Sequence, residues 1–195
     1  IKHNNKFDNP NILIAGCGTG NHSINATKYK NANILAVDLS LKSLAYAKRK
    51  TEELGCTNIE YLHADILQLN KLNRKFDIIE CAGVLHHMKE PVEGLKVLLD
   101  ILEPHGFLKL GLYSELAREH IVKTKELINK RKLKNTNEDI KNFRQDVINE
   151  VRDPFLKKTA ACMEFYSTSS VRDLLFHVQE HRFTIPQISK ILTDL

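Results

Sequence analysis

Three glycines and one carboxylate are the residues whose spacing most directly suggests chemistry. Gly16, Gly18 and Gly20 alternate with Cys17 and Thr19, directly after the apolar run Ile12-Leu13-Ile14-Ala15. A strand that enters such a turn and then a helix lets the backbone bend tightly and lie against a ligand with no Cβ in the way. Asp38 stands 18 residues beyond Gly20, closing the next apolar run. A carboxylate there can accept hydrogen bonds from both hydroxyls of a ribose. Asp65, Glu80-Cys81-Ala82 and Tyr113-Ser114 close the later apolar runs. His86 and His87 follow the fourth run, and an imidazole can take a proton from a hydroxyl, an amine or a carbon acid.

The elements that must position these residues alternate. Buried strands are expected at Asn11–Ala15, Ile34–Val37, Ile59–Ala64, Phe76–Glu80 and Phe107–Leu112. Helices are expected between them: from about Asn21 to Tyr29, from Leu41 to Leu54 with Ser40 as N-cap and Gly55 as its stop, and from Val92 to Leu102 after Pro91. Pro104-His105-Gly106 reads as a turn. This alternation predicts an α/β fold, a Rossmann-like, mostly parallel sheet with right-handed crossovers. Ligands in such sheets bind beyond the carboxyl ends of the strands, which is where the five chemistry-bearing groups fall. After Ser114 the pattern turns helical: Glu115 to Leu133, Glu138 to Val151 with Pro154 as terminator, Val171 to Val178 capped from Ser167–Ser170, and Ile185 to Leu192.

Glycine spacing separates two ligand classes. A nicotinamide or flavin dinucleotide wants G-x-G-x-x-G, which would place the third glycine at Asn21. The spacing Gly16-x-Gly18-x-Gly20 suits S-adenosylmethionine, which has no pyrophosphate to cradle. An NAD-dependent oxidoreductase and a non-catalytic cofactor-binding module are the rival readings.

Six segments, in order, resemble the motifs of class I S-adenosylmethionine-dependent methyltransferases. They are Gly16–Gly20, Val37-Asp38-Leu39-Ser40, Ala64-Asp65-Ile66, Phe76-Asp77-Ile78-Ile79, Val84-Leu85-His86-His87-Met88 and Leu102–Phe107. The flavour is the small-molecule type that includes quinone-biosynthesis enzymes, and the resemblance covers about residues 10 to 114. Phe165-Tyr166-Ser167-Thr168 and Arg172–His181 are similar to bacterial methyltransferase domains attached to tetratricopeptide repeats. That second resemblance implies such a repeat segment in the full-length protein.

The resemblance implies S-adenosyl-L-methionine as cofactor and assigns positions residue by residue. Gly16, Cys17, Gly18, Thr19 and Gly20 would line its methionine and ribose portion. Asp38, beside Leu39, would hold the ribose hydroxyls. Asp65, with the backbone of Ile66, would meet the adenine. Glu80, Cys81 and Ala82 would border the sulfonium, and His87 and Tyr113 are the candidate catalytic groups. Two departures stand out. Many members carry an acid two residues before the first glycine, where this chain has Ile14, so amine recognition must come from elsewhere. Glu80-Cys81-Ala82-Gly83 also differs from the Asn/Asp-Pro-Pro-Tyr type used on exocyclic base amines, which argues against such acceptors. A small-molecule acceptor is expected, a protein acceptor is the alternative, and nucleic acid ranks below both.

Composition agrees with a globular domain of this kind. The chain has 195 residues, 42% hydrophobic and 27% charged, with no apolar run of the ~18 residues a membrane span needs. The net charge is +5, and the segment Glu115–Lys158 holds 12 Lys and Arg against 8 Asp and Glu, a modest excess that fits solvated helices. Cys17, Cys56, Cys81 and Cys162 form no metal-binding pattern, so no metal is expected and a reducing, cytoplasmic setting is inferred. Two domains are expected: a cofactor-binding core over 1–114 and a helical cap or insertion over 115–195. The chain lacks an initiator Met and shows no hairpin beyond Leu112, so it is expected to be cut at both sides, before its sixth strand.

Overall fold

The computed structural model describes residues 8–149, 152–177 and 179–195. They form two compact units, residues 8–112 with Ile191–Leu195, and Tyr113–Lys190.

The first unit is a parallel sheet of five strands, β1 (Asn11–Ala15), β2 (Asn33–Asp38), β3 (Ile59–His63), β4 (Phe76–Ala82) and β5 (Leu102–Gly111), in the order β3-β2-β1-β4-β5. The alternation of side chains sorts its core into two layers. Ile12, Ile14, Ile34, Ala36 and Ile78 face α1 (Asn21–Ala26) and α2 (Leu41–Glu53), where Ala26 and Leu44 complete the packing. Leu13, Ala15, Leu35, Val37, Ile79 and Cys81 face a 3₁₀ segment (Ile66–Leu72) and α3 (Pro91–Asp100), which supply Ile66, Leu69, Leu95 and Leu98. The central strand is apolar on both faces because both faces are covered, as parallel sheets require.

Ser40 caps α2 as expected, its hydroxyl accepting from the Ser43 amide at 3.2 Å. The start of β5 differs from expectation. Pro104-His105-Gly106 does not separate helix from strand; the strand begins at Leu102 and carries an irregularity there, with Phe76 opposite Leu102 and Ile78 opposite Phe107. His105 takes a left-handed backbone (φ +69°) to make it, a conformation imidazole side chains tolerate better than most.

Among the described residues no strand pairs with the outer edge of β5, and Phe107 is 56% exposed. Amide groups on that edge lack ladder partners. Hydrogen exchange should therefore show weaker protection over Phe107–Gly111 than over Ile12–Ala15. Equal protection would mean that another segment covers the edge in solution.

The second unit is helical: α4 (Glu119–Lys130), α5 (Asn137–Asn149), α6 (Pro154–Ala160), a 3₁₀ turn (Met163–Tyr166), α7 (Thr168–Phe176) and the first residues of α8 (Ile185–Asp194), whose last residues are counted with the first unit. Its core gathers Ile121, Ile128, Ile140, Phe143, Val147, Phe165, Val171 and Leu175. Pro154 opens α6 and does not merely end its predecessor. Asp153 caps the helix through the Phe155 and Leu156 amides, and proline suits the first turn because its missing N–H has no helical partner to lose. The expected helix ends at Val151 and Val178 lie outside the described residues.

Candidate functional site

The carboxyl ends of β1 and β2 are tied to each other before any ligand is considered. The Val37 carbonyl accepts from the amides of both Gly16 and Cys17 at 2.9 Å. Asp38 closes the same knot from its side chain. Its Oδ2 accepts from the Gly18 amide and its Oδ1 from the Ser40 amide, each at 2.8 Å. Each carboxylate oxygen retains capacity for a further donor, so Asp38 can organise the glycine turn and still accept from a ribose.

A small cavity of about 130 Å³ opens at this point. Gly16, Asp38 and Leu39 form one side of it, and Asp65 and Ile66 another. Val84 and Met88, from the segment after β4, complete the lining. Asp65 is held by the Leu67 amide, which donates to Oδ1 at 2.9 Å at the start of the 3₁₀ segment. The cavity thus offers two carboxylates beside apolar surfaces, which suits a flat base attached to a sugar.

Two of the glycines serve different ends. Gly16 (φ +78°) lies so close to Val84 that a Cβ would overlap its Cγ2, so it is needed for packing. Gly18 (φ +52°) has nothing within 4 Å of the place a Cβ would occupy, so its bare backbone faces open space beside Asp38. Gly18→Val should therefore abolish cofactor binding. Its thermal stability should fall only by the left-handed strain of about 1–2 kcal/mol. Normal binding by the mutant would show that this turn has only a structural role.

The structure separates the remaining expected residues. Thr19 is exposed on the turn, and Gly20 (φ +94°) is the N-cap of α1. Cys17 and Cys81 point into the two core layers, where burial pushes both thiols up to about 12. Glu80 is buried on β4 and receives Lys109 Nζ from β5 at 3.1 Å, with His22 Nδ1 3.5 Å away. Glu80, Cys81 and Ala82 do not line the cavity; Val84 and Met88 stand there instead. Of the paired histidines, His86 is fully buried and meets the partly buried His87 edge to face at 4.3 Å between ring centres.

Tyr113 belongs to the second unit. The Arg118 guanidinium lies 3.6 Å from the centre of its ring. Burial raises its phenol above the ordinary range despite Arg118, which lowers it. A phenol in that state can donate a hydrogen bond near neutral pH but is a poor base.

Val84 and Met88 flank the two histidines in sequence, and only the histidines carry a chemical signal there. Aliphatic lining leaves no signature beyond position, and here the position follows β4 as His86 and His87 do.

Residues 12–106 match the model of a methyltransferase domain family. The chain is 30% identical over 116 residues to the mitochondrial ubiquinone biosynthesis O-methyltransferase of Schizosaccharomyces pombe, covering 58% of this chain and 42% of that one. An uncharacterised protein of Synechococcus is 36% identical over 121 residues, covering 61% of this chain and 29% of its own length. Among solved structures, PKMT2 from Rickettsia typhi superposes with a TM-score of 0.77 at 21% identity, covering 95% of this chain and 38% of that one, and it is also known in complex with AdoHcy. The chain therefore spans less than half the length of these relatives. With the five-stranded order, these matches identify residues 12–106 as a methyltransferase domain of the class I S-adenosylmethionine-dependent type. S-adenosylmethionine is the cofactor of that class, and the residues present fit it: Asp38 could accept from a ribose, the bare Gly18 backbone beside it leaves room for a ligand, and Leu39, Ile66, Val84 and Met88 offer apolar surface for a base.

Proposed function

We propose that the protein transfers a methyl group from S-adenosylmethionine to a small-molecule acceptor. One observation carries the reading: Asp38, which accepts from the Gly18 amide, lines a cavity together with Gly16, Asp65 and Ile66. Support for a small acceptor comes from relatives named ubiquinone biosynthesis O-methyltransferase and (S)-tetrahydroprotoberberine N-methyltransferase. Those names differ in acceptor atom, and a further relative is named tRNA U34 carboxymethyltransferase. The shared segment therefore sets the cofactor and leaves the acceptor to other residues. We assign that choice to the helical unit, which lies outside the family match.

The bound cofactor supplies an electrophilic methyl group. The chain's own contribution is placement and dryness. Asp38 and the glycine turn hold the ribose, Asp65 with the Ile66 backbone holds the adenine, and Leu39, Val84 and Met88 exclude water. Alignment and water exclusion supply much of the acceleration in such transfers. His87 is the group we assign to any proton removal from the acceptor, since an imidazole can act as a general base. No helix among the described residues is long and apolar enough to cross a membrane, and the four free cysteines suit a reducing cytoplasmic setting.

Incubation with methyl-labelled S-adenosylmethionine and a cell extract, followed by size separation, tests the acceptor class. Label in the low-mass fraction supports the proposal. Label retained on protein would replace it with a protein acceptor. Absence of label from a cofactor-binding sample would favour a binding module without catalysis.

A further inference from the structure

The helical unit contains a cluster whose charges do not balance. The Glu180 side chain is 3% exposed and accepts from Arg118 in a two-pronged pair, Nε to Oε1 at 3.0 Å and Nη2 to Oε2 at 2.9 Å. Lys125 Nζ donates to Oε2 at 3.0 Å. Arg182 Nη1 stands 3.8 Å from Oε1, beyond hydrogen-bond distance. Three cations thus surround one carboxylate. All are substantially withdrawn from water, with side chains 13%, 18% and 30% exposed for Arg118, Lys125 and Arg182.

Glu180 brings one negative charge against the three positive charges of Arg118, Lys125 and Arg182, and of these Arg182 is the one at ion-pair but not hydrogen-bond distance. Its Nε is buried with no hydrogen-bond partner among the described residues. A buried donor left unpaired costs free energy, and an unmatched cation costs more. An open cavity lies beside it, lined by Lys125, Glu180 and Arg182 with Asn129 and His177, and by apolar Leu133 and Phe176. A guanidinium fork presents parallel donors that match a carboxylate or a phosphate. The apolar wall gives such a group's carbon skeleton a surface to leave water against.

We propose that this cavity is a second binding site, for a small molecule with an anionic head, carboxylate or phosphate, on an apolar body. Arg182 pairs with the head, Lys125 and the Asn129 amide border it, and Leu133 and Phe176 cover the body. Glu180 holds the cations in place and sets their number. The site stands apart from the Asp38 cavity in its residues, and it does not depend on the reading of that cavity.

Calorimetric titration of the 195-residue chain with benzoate, phenyl phosphate and inorganic phosphate tests it. Saturable binding of benzoate or phenyl phosphate is expected, and which of the two binds tighter identifies the head. Arg182→Gln should weaken that binding about tenfold or more, as loss of a charge-assisted pair does. Arg182→Lys should fall between, keeping the charge and losing the fork. Neither variant should change affinity for S-adenosylhomocysteine, and melting curves will show whether each is folded. Lack of binding by all three probes would overturn the proposal, as would binding that Arg182→Gln leaves unchanged. Binding of inorganic phosphate alone would overturn the apolar half of it and leave a simple anion site.

Discussion

Asp38→Ala should weaken S-adenosylhomocysteine binding by about 2–4 kcal/mol, roughly 30- to 1000-fold. The effect has two sources in the structure. One is the loss of the carboxylate that accepts from the ribose, where a charged hydrogen bond contributes about 1.5–3 kcal/mol. The other is release of the Gly18 and Ser40 amides, both held by this side chain at 2.8 Å. Asp38→Asn separates the two, because its amide oxygen can still serve one backbone donor but carries no charge. It should bind more weakly than the wild type and more tightly than Asp38→Ala. Calorimetry on both variants checks the order, and unchanged affinity in Asp38→Ala would remove this residue from the site.

Glu180→Gln should strongly destabilise the helical unit. Removing one member of a buried pair costs about 3–5 kcal/mol because its partners stay buried and unmatched. Arg118 and Lys125 keep some access to water, so the lower end, about 3 kcal/mol, is expected. The same group gives a pH dependence. Burial alone would raise the Glu180 carboxyl, but its hydrogen bonds from Arg118 and Lys125 outweigh that and hold it below its ordinary 4.5. A carboxyl lowered on folding stabilises the protein above its unfolded value, and that contribution is lost as pH falls through the folded value. The wild type should therefore lose its advantage over Glu180→Gln below about pH 4.5, in the acid range where Glu180 takes up its proton. Melting curves from about pH 3 to 8 on both proteins test this. A gap that stays constant across that range would show that the carboxylate's charge is not what holds the segment.

Much of the first unit is legible in the sequence because its signals are local. The run Ile12–Ala15 followed by alternating glycines announces a strand, a turn and a helix within a dozen residues, and β1 and the start of α1 fall where that pattern puts them. Periodicity and capping likewise place β2, α2 and β3 to within a residue or two. The departure at β5 has a specific cause. Pro104, His105 and Gly106 are turn formers, yet a strand can absorb such residues as an irregularity when its neighbour still pairs on both sides of it. At Pro154 the stop signal and a start signal coincide, the latter carried by Asp153 just before it.

Of the cavity lining, Gly16, Asp38, Leu39, Asp65 and Ile66 can be placed from sequence because each lies at or just past a strand end. The fourth strand continues two residues past Glu80, which carries Cys81 into the core and hands the cavity wall to Val84 and Met88. The Arg118–Glu180 pair spans 62 residues with no pattern to announce it. Such long-range charge pairing follows from tertiary packing, which periodicity does not encode.

An adenosyl ligand in the Asp38 cavity is the central claim, and one calorimetric titration tests it most directly. S-adenosylhomocysteine and NAD are each titrated into the wild-type chain and into Gly18→Val. Saturable binding of S-adenosylhomocysteine at one site, absent from the folded Gly18→Val protein, is the predicted result. Preferential binding of NAD, or S-adenosylhomocysteine binding that survives Gly18→Val unchanged, would contradict it.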